Sequence, residues 1–298
     1  MQLAIGSKGQ KAVKILAAGA LAAAVGIIAA CGDGGSSSSD TATVSGTVAD
    51  GYLRNAEVFL DMNGNYQWDE GEPKAMSGAG GHYSFQVSSG DAGQYPVVCR
   101  VIAGTTVDED NLNTPVTGSY VMSAPAGTTA FISPMSTLLR EKLEADPTMT
   151  MEQAMTQLRN QLNLAAGPNM LADYIAGTDA AYDTIHEVAQ QMATLMAQQS
   201  SLVMNGTTGA VYRERYRAMM GQLNLEMPYI TDNVVSAPTD VVRPMDTIRQ
   251  EMMTYLGQVS TTGTFTNYTA MFRNMTSQQH FWNYSGSRMR PGSMMGWR

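Results

Sequence analysis

The chain has 298 residues, with 26 acidic and 18 basic side chains and a formal net charge of −8 at pH 7. This acidic balance argues against a nucleic-acid partner, because such partners are bound through clustered positive charge. Two cysteines and three histidines are too few for a disulfide framework or a histidine metal site.

Residues 1–30 have the pattern of a signal peptide. Lys8, Lys11 and Lys14 form a basic region, and an uncharged apolar run follows from Ile15 to Ala30. This run is shorter than a transmembrane helix and ends in small residues, as secretory signals do. Cleavage after residue 30 would remove three lysines and no acidic residue, which changes the formal charge from −8 to −11.

The end of this run, Ile28-Ala29-Ala30-Cys31, resembles the lipobox of bacterial lipoproteins. The resemblance implies that Cys31 carries lipid, such as palmitate, and becomes the first residue of the mature protein. Gly32 stands where lipoproteins retained in the inner membrane commonly carry Asp, which implies the outer membrane, facing either the periplasm or the cell surface. The alternative is an ordinary signal peptide with an unrelated cysteine at its cleavage site. Residues 31–42 are rich in Gly and Ser and predict a flexible tether.

Residues 43–130 contain short apolar and alternating segments separated by Gly, Asn, Asp and Pro. This pattern predicts about five strands and favours a small antiparallel β-sandwich. Cys99 lies in one of these apolar runs, so we expect a buried and inert thiol. The predicted strands are Thr43–Val48, Ala56–Leu60, Gly80–Val87, Pro96–Ile102 and Ser119–Met122.

The most chemically specific segment is the loop Asp61–Pro73. Counted from Asp61, oxygen-bearing side chains stand at positions 1, 3, 5, 9 and 12, which is the spacing of a calcium loop. The predicted ligands of Ca²⁺ are Asp61, Asn63, Asn65, Gln67, Asp69 and Glu72.

Two departures from the calcium pattern weaken this prediction. Tyr66 stands at position 6, where calcium loops have glycine, and would need an unfavourable backbone angle. Asn63 and Asn65 replace carboxylates, which lowers the charge of the ligand set. The alternative is a metal-free turn in which Asn and Asp side chains bond to their own backbone. The acidic segment Asp108–Asp110 is either a source of extra ligands or a solvated loop.

Three segments, Val44–Tyr52, Val58–Asn65 and Gly81–Phe85, resemble two families of bacterial and related domains. These are the carboxypeptidase regulatory-like domain and the Cna-B/SdrD B-type repeat of surface proteins. Both are prealbumin-like β-sandwiches, and the second commonly carries a calcium loop of the D-x-N-x-N type. The resemblance therefore implies such a sandwich. In addition, Ile132–Leu138 resembles a linker that precedes a helical region in large surface proteins.

Residues 131–258 change to a helical period. Ser133 followed by Pro134 predicts a helix start, and Thr150 with Gln153 predicts a capping box. The fold class is therefore predicted as α+β multidomain, with an N-terminal prealbumin-like antiparallel β-sandwich and then an α-helical bundle. The predicted helices are Met135–Glu144, one beginning after Thr150, Ala180–Leu202, Val211–Leu223 and Val241–Leu256.

Residues 259–298 are predicted to be a basic and aromatic tail without acidic side chains. Such a tail either docks on lipid headgroups or glycans, or wraps the acidic body of its own protein. The chain has 23 methionines, and helix-spaced pairs such as Met192 and Met196 are typical of a core. Met294 and Met295 in the tail are candidates for a weak Cu(I) site.

No sequence motif indicates catalysis. The chain lacks H-E-x-x-H, G-x-S-x-G and C-x-x-C-H patterns and a phosphate-binding glycine loop. His186 falls among apolar residues of a predicted helix, which favours a packed residue over a ligand. We therefore predict a non-enzymatic, calcium-stabilised lipoprotein that binds an envelope protein or a glycan, as an adhesion or scaffolding module. The alternative is a periplasmic copper-handling lipoprotein that uses the methionine-rich tail.

Overall fold

The computed structural model describes residues 40–111, 114–164, 167–235 and 244–272. The predicted signal peptide, Cys31, the tether up to residue 39 and the tail from residue 273 onward lie outside these ranges. The fold is mixed α+β, with antiparallel sheets and seven α-helices in the described ranges. The strands are β1 (Thr41–Val48), β2 (Leu53–Arg54), β3 (Glu57–Leu60), β4 (Lys74–Met76), β5 (His82–Ser88), β6 (Val97–Val101), β7 (Val107–Asp108), β8 (Tyr120–Ala124) and β9 (Phe131–Ile132).

The strands form three sheets. The largest has the order β4-β3-β6-β8 and is antiparallel throughout, with Val58 opposite Cys99 and Cys99 opposite Met122. A second sheet has the order β5-β1-β9, in which β1 and β5 are antiparallel and β1 and β9 are parallel. The third is the short pair β2-β7. All five predicted strands are present, with ends that differ by at most two residues.

The burial of the strands explains their sequence patterns. Strand β5 buries Tyr83, Phe85 and Val87 and exposes the residues between them, as expected for a sheet with one face on the core. Strands β3 and β8 are instead buried at every position. Both faces of the largest sheet are therefore covered, and the continuous apolar runs follow from that.

The α-helices supply the cover on the second face of the largest sheet. The Tyr216 hydroxyl donates to the carbonyl of Val121 in β8, and the amide of Ser123 donates to Thr137 Oγ1. The buried side chains of sheets and helices belong to one continuous core. The helices are α1 (Pro134–Ala145), α2 (Met151–Gln161), α3 (Ala180–Gln198), α4 (Ser200–Val203), α5 (Arg213–Val235), α6 (Met245–Gln258) and α7 (Tyr268–Met271).

Two predicted helix starts are confirmed in detail. Ser133 caps α1, and its side chain and that of Ser136 bond to each other's backbone amides, with Pro134 in the first turn. Thr150 and Gln153 form the predicted capping box at the start of α2. Each box satisfies amide groups that have no partner within the helix.

The prediction that α5 ends at Leu223 is wrong, because the helix continues through Pro228 to Val235. Proline has no N–H group, so the carbonyl four residues earlier, that of Asn224, loses its helical partner. Gln161 of α2 donates its Nε2 to this carbonyl at 3.0 Å. A tertiary contact that the local sequence does not reveal thus compensates the break.

The methionines in the described ranges lie largely in the core, as their helical spacing predicted. Met192, Met196, Met219 and Met220 are all buried. Cys99 is a free cysteine with no solvent exposure, and burial raises the pKa of its thiol well above the ordinary value. It is therefore held as an unreactive thiol.

The start of the predicted tail packs on the protein's own helices. Met271 lies against Gly221 of α5, and its carbonyl accepts a hydrogen bond from Asn224 Nδ2 at 2.6 Å. Tyr268 and Phe272 are buried. In the part of the chain that the structure describes, no helix is both long enough and apolar enough to cross a membrane.

Candidate functional site: the loop Asp61–Pro73 and the polar network beneath it

The loop Asp61–Pro73 connects β3 to β4 and has positive φ angles at three residues, one of which is Gly71. Gly64 and Tyr66 have φ angles of 71° and 64°, in the left-handed region that favours glycine. The expected unfavourable angle of Tyr66 is thus confirmed, at a cost of about 1–2 kcal/mol for a residue with a Cβ. Burial of the whole Tyr66 side chain offsets that cost.

The side chains at positions 3, 5 and 9 of this loop contact one another, and the side chain at position 1 contacts the loop backbone. Asp69 Oδ2 accepts hydrogen bonds from the side-chain amides of Asn63 and Asn65, at 2.8 and 2.6 Å. Asp61 Oδ1 accepts the backbone N–H of Asn65 at 3.0 Å. The loop therefore brings three of the predicted ligands together, with the amide nitrogens of Asn63 and Asn65 directed at the Asp69 carboxylate.

Glu72, at position 12, closes the loop through hydrogen bonds. Its Oε1 accepts the amide of Met62 at 2.7 Å, and its Oε2 accepts the amide of Asp69 at 3.0 Å. Burial raises the pKa of the Glu72 carboxyl above its ordinary value. Each carboxylate oxygen has a second lone pair, so these bonds leave acceptor capacity for a cation.

The oxygen ligands that the loop offers are of the type that calcium prefers, but together they carry little negative charge. Carboxylate and amide oxygens are the ligands that Ca²⁺ prefers. Over residues 40–272, apart from the undescribed gaps, no three His, Cys, Asp or Glu side chains are grouped to hold a metal ion. A cation in this loop would therefore depend on the neutral oxygens of Asn63, Asn65 and Gln67 and on backbone carbonyls. Such a site has low charge and correspondingly low affinity.

The metal-free alternative also has direct support in the loop. Asn63 Oδ1 accepts the amide of Asn65 at 3.1 Å, and Asn65 Oδ1 accepts the amide of Gln67 at 2.9 Å. These are the Asx turns that the alternative predicts. The loop is internally hydrogen-bonded without a cation, so both hypotheses agree with its geometry.

Asp61 has a partner that the sequence did not reveal. Arg140 of α1 places Nη2 at 2.9 Å from Asp61 Oδ2, and both side chains are essentially inaccessible to solvent. The same carboxylate oxygen accepts the amide of Tyr66 at 3.3 Å. The first residue of the loop is therefore joined to the helices by a buried ion pair.

Tyr66 extends this connection into the helical layer. Its ring packs on Tyr216 of α5, with ring centroids 4.5 Å apart, and lies beneath the guanidinium of Arg140 at 4.3 Å. Its hydroxyl donates to Glu141 Oε1 at 2.7 Å. A residue that departs from the calcium pattern thus anchors the loop to two helices.

A network of charged and phenolic groups surrounds these contacts. Glu144 accepts from Arg140 Nε at 2.7 Å and from Arg217 Nη2 at 2.9 Å. Tyr268 of α7 donates to Glu141 Oε2 at 2.7 Å. The loop, α1, α5 and α7 are all joined by this polar network, which comprises Asp61, Tyr66, Arg140, Glu141, Glu144, Arg217 and Tyr268.

The two glutamates of the network differ in ionisation. Burial raises the pKa of Glu141 above its ordinary value, and the nearby Glu144 carboxylate raises it further. Burial alone would also raise the pKa of Glu144, but Arg140 and Arg217 together hold it below the ordinary value. Glu144 is therefore the ionised partner of both arginines, and Glu141 retains a proton more readily.

Sequence reasoning missed the helical half of this network. The local segment Arg140–Glu144 has the composition of an exposed helix face, and its i,i+4 Arg–Glu spacing is common on surfaces. One sequence feature could have indicated the burial of this segment. Leu138, Leu139 and Leu143 surround its charged residues and leave few helix positions for a solvent-exposed face. Tyr66 at a glycine position was the other signal.

The second acidic segment lies against α3. Asp110 Oδ2 is 3.1 Å from His186 Nε2 and accepts from Gln190 Nε2 at 3.0 Å. The hypothesis that this segment supplies extra calcium ligands has no support in these contacts. Nearby, buried Asp50 accepts a hydrogen bond from the Tyr120 hydroxyl, and burial raises its pKa to about 7.

Comparisons of the chain with protein-family models, with curated proteins and with solved structures found no match. A function is therefore inferred from the residues and their geometry.

Proposed function

We propose that this protein is a lipoprotein of the outer membrane, anchored through lipid on Cys31. Its work is non-enzymatic: it binds an envelope protein or a glycan as an adhesion or scaffolding module. We further propose that the sheets are a prealbumin-like β-sandwich followed by an α-helical bundle, and that calcium in the loop Asp61–Pro73 stabilises their junction.

The observation that carries the calcium proposal is the convergence on Asp69 Oδ2. Two side-chain amides, those of Asn63 and Asn65, donate to this one oxygen. A cation bound at Asp69 Oδ2 would take the place of the two amide NH2 groups. Rotation of each amide would then direct its oxygen at the cation as a ligand. The spacing and the fold of the loop thus favour the same position for the ion.

The role of the ion follows from the buried contacts below the loop. Asp61 and Tyr66 join the loop to Arg140 and Glu141 of α1. Holding the loop in one shape therefore holds the sheet and the helices in one relative position. A scaffolding module requires such a fixed surface, and the one cysteine of the described ranges, Cys99, is free and forms no disulfide that could provide it.

Thermal unfolding with calcium or with EDTA tests the proposal. Calcium at a hundredfold excess over its Kd should add about 2.7 kcal/mol of stability, which raises the Tm by about 5–10 °C. Asp69→Asn should abolish most of this response. Glu70→Gln, a neighbouring exposed position outside the predicted ligand set, is the matched control and should keep it.

A melting temperature that is the same in calcium and in EDTA would leave the metal-free turn as the correct interpretation. The anchor has a separate test, since Cys31→Ser should release the protein from membranes. The alternative copper function rests on Met294 and Met295, which lie outside the described residues. Deleting residues 281–298 should abolish Cu(I) binding if that alternative holds.

A further inference from the structure

Exposed apolar side chains concentrate on the loop and the strand that follows it. Five large hydrophobic side chains are exposed in the described ranges, and three of them are Met62, Trp68 and Met76, at 37%, 37% and 50%. Lys74 lies among them in β4. We name Met62, Trp68, Lys74 and Met76 the loop patch.

Trp68 is held in a fixed orientation within the loop patch. Its indole N–H donates to the carbonyl of Glu72 at 2.8 Å, and the Lys74 ammonium lies 3.5 Å from the ring centroid. Lys74 is in turn paired with Glu57 at 3.0 Å. A ring fixed in this way loses little conformational entropy when its open side meets another surface.

The loop patch lies at the end of the sheets where the described chain begins. Strand β1 begins at Thr41 opposite Ser88, and the amide of Ser89 donates to the carbonyl of Asp40 at 2.9 Å. The connection from β5 returns to β6, where the amide of Asp61 donates to the carbonyl of Pro96 at 3.0 Å. The chain start and the base of the loop therefore lie at the same end of the sheets.

The segment before Asp40 limits how far this edge can lie from an anchor at Cys31. A chain from Cys31 to Asp40 spans about 30 Å when fully extended. A flexible Gly/Ser-rich coil of that length would have an average end-to-end distance of about 16 Å. An anchor at Cys31 would therefore hold the start of the described chain within about 30 Å of the lipid surface.

We propose that the loop patch docks on the headgroup layer of the membrane that holds the Cys31 anchor. This inference rests on the lipid anchoring in the proposed function. Tryptophan is suited to that layer, because its ring can bury apolar surface while its N–H keeps a hydrogen-bond acceptor, which here is the carbonyl of Glu72. Methionine adds adaptable apolar contact. Docking fixes the orientation of the body, so that the opposite end of the fold faces the binding partner.

Charge decides when docking occurs. Asp61 is buried and paired with Arg140, but Asp69, Glu70 and Glu72 place negative charge in the loop and oppose contact with anionic lipids. A bound calcium ion would offset two of these charges. Contact of the loop patch with an anionic surface is therefore strongest with calcium present.

Fluorescence quenching by brominated lipid tests the proposal. The lipidated protein carries Trp282→Phe and Trp297→Phe, so that Trp68 is the only tryptophan, and is reconstituted into phosphatidylethanolamine/phosphatidylglycerol vesicles with excess calcium. Bromine on the lipid should quench most of the Trp68 emission. A matched control adds Trp68→Phe and Met253→Trp, at a site of similar exposure (39%) on α6, and should stay unquenched.

Three results overturn the proposal. An unquenched Trp68 in protein that floats with the vesicles refutes docking and leaves the anchor intact. Equal quenching at position 253 shows unspecific adhesion of the whole body. A Trp68 signal that responds to soluble peptidoglycan fragments, and not to brominated lipid, identifies a glycan surface instead. The anchor itself is tested separately by vesicle flotation. If the Cys31→Ser variant floats with the vesicles as well as the unsubstituted protein does, lipid on Cys31 is not what holds the protein to the membrane.

Discussion

The ion pair between Asp61 and Arg140 is the contact on which the junction of loop and helices depends most. The perturbation is a double-mutant cycle of Asp61→Asn and Arg140→Met, measured in EDTA so that no metal contributes. Asp61→Asn keeps the side-chain shape and an acceptor for the Asn65 amide but removes the charge. Arg140→Met keeps most of the apolar stem.

The geometry sets the expected size of the effect. At 2.9 Å and an effective dielectric constant of about 20, the attraction between the two charges is about 6 kcal/mol. Breaking a buried pair commonly costs about 3–5 kcal/mol, after desolvation is counted. Arg140 keeps Glu144 as a second partner, so we expect about 3 kcal/mol for Asp61→Asn. With Arg140→Met already present, about 1 kcal/mol should remain.

Urea unfolding provides the assay, with the free energy of unfolding obtained for each of the four proteins. The expected coupling between the two sites is about 2 kcal/mol. Glu152 and Arg159 of α2 form a control pair in which the glutamate side chain is 69% exposed, so its coupling should stay below about 1 kcal/mol. A coupling for Asp61 and Arg140 no larger than this control would refute the buried junction.

Three further predictions concern buried groups. Lys142 is fully buried with no hydrogen-bond partner in the described ranges, and burial lowers its pKa from 10.5 to about 7. Between about pH 7 and pH 10.5 the unfolded state therefore binds more protons than the folded state, so the free energy of unfolding rises with pH over that range. Lys142→Met should remove this rise and add about 4–5 kcal/mol of stability near pH 6, as measured by urea unfolding. Asp50 has the opposite effect, because burial raises its pKa from 3.8 to about 7. Its contribution to stability falls by about 4 kcal/mol as the pH rises from 3.8 to about 7, and Asp50→Asn should remove this pH dependence of the urea midpoint. Cys99 should react with a thiol reagent only after unfolding; reaction in the native protein at the rate of an exposed thiol would contradict its burial.

The junction changes how the calcium hypothesis is tested. Asp61 is the first predicted ligand, yet its substitution leaves Arg140 without its buried partner whether or not a metal binds. A loss of stability in Asp61→Ala would therefore say nothing about calcium. Asp69 and Glu70, which are both less buried and lie outside the ion pair, separate the two effects.

Elements whose causes are local could be predicted from the amino-acid sequence. Alternating residues such as Tyr83, Phe85 and Val87 predicted β5, and Ser133 with Pro134 predicted the start of α1, because periodicity and capping act over a few residues. The loop Asp61–Pro73 was also visible, since a calcium spacing is a local pattern, and so was the unfavourable angle of Tyr66.

The contacts that join these elements became visible in the folded protein alone, because they link residues far apart in the chain. The carbonyl of Asn224 finds Gln161, and Asp61 finds Arg140, across distances in sequence that no local pattern spans. A charged residue in a helix looks the same in sequence whether its partner is water or a buried carboxylate. For that reason the sequence around Arg140 and Glu141 resembles an ordinary exposed helix face. Their burial follows from the loop that packs on them, with Tyr66 pointing inward.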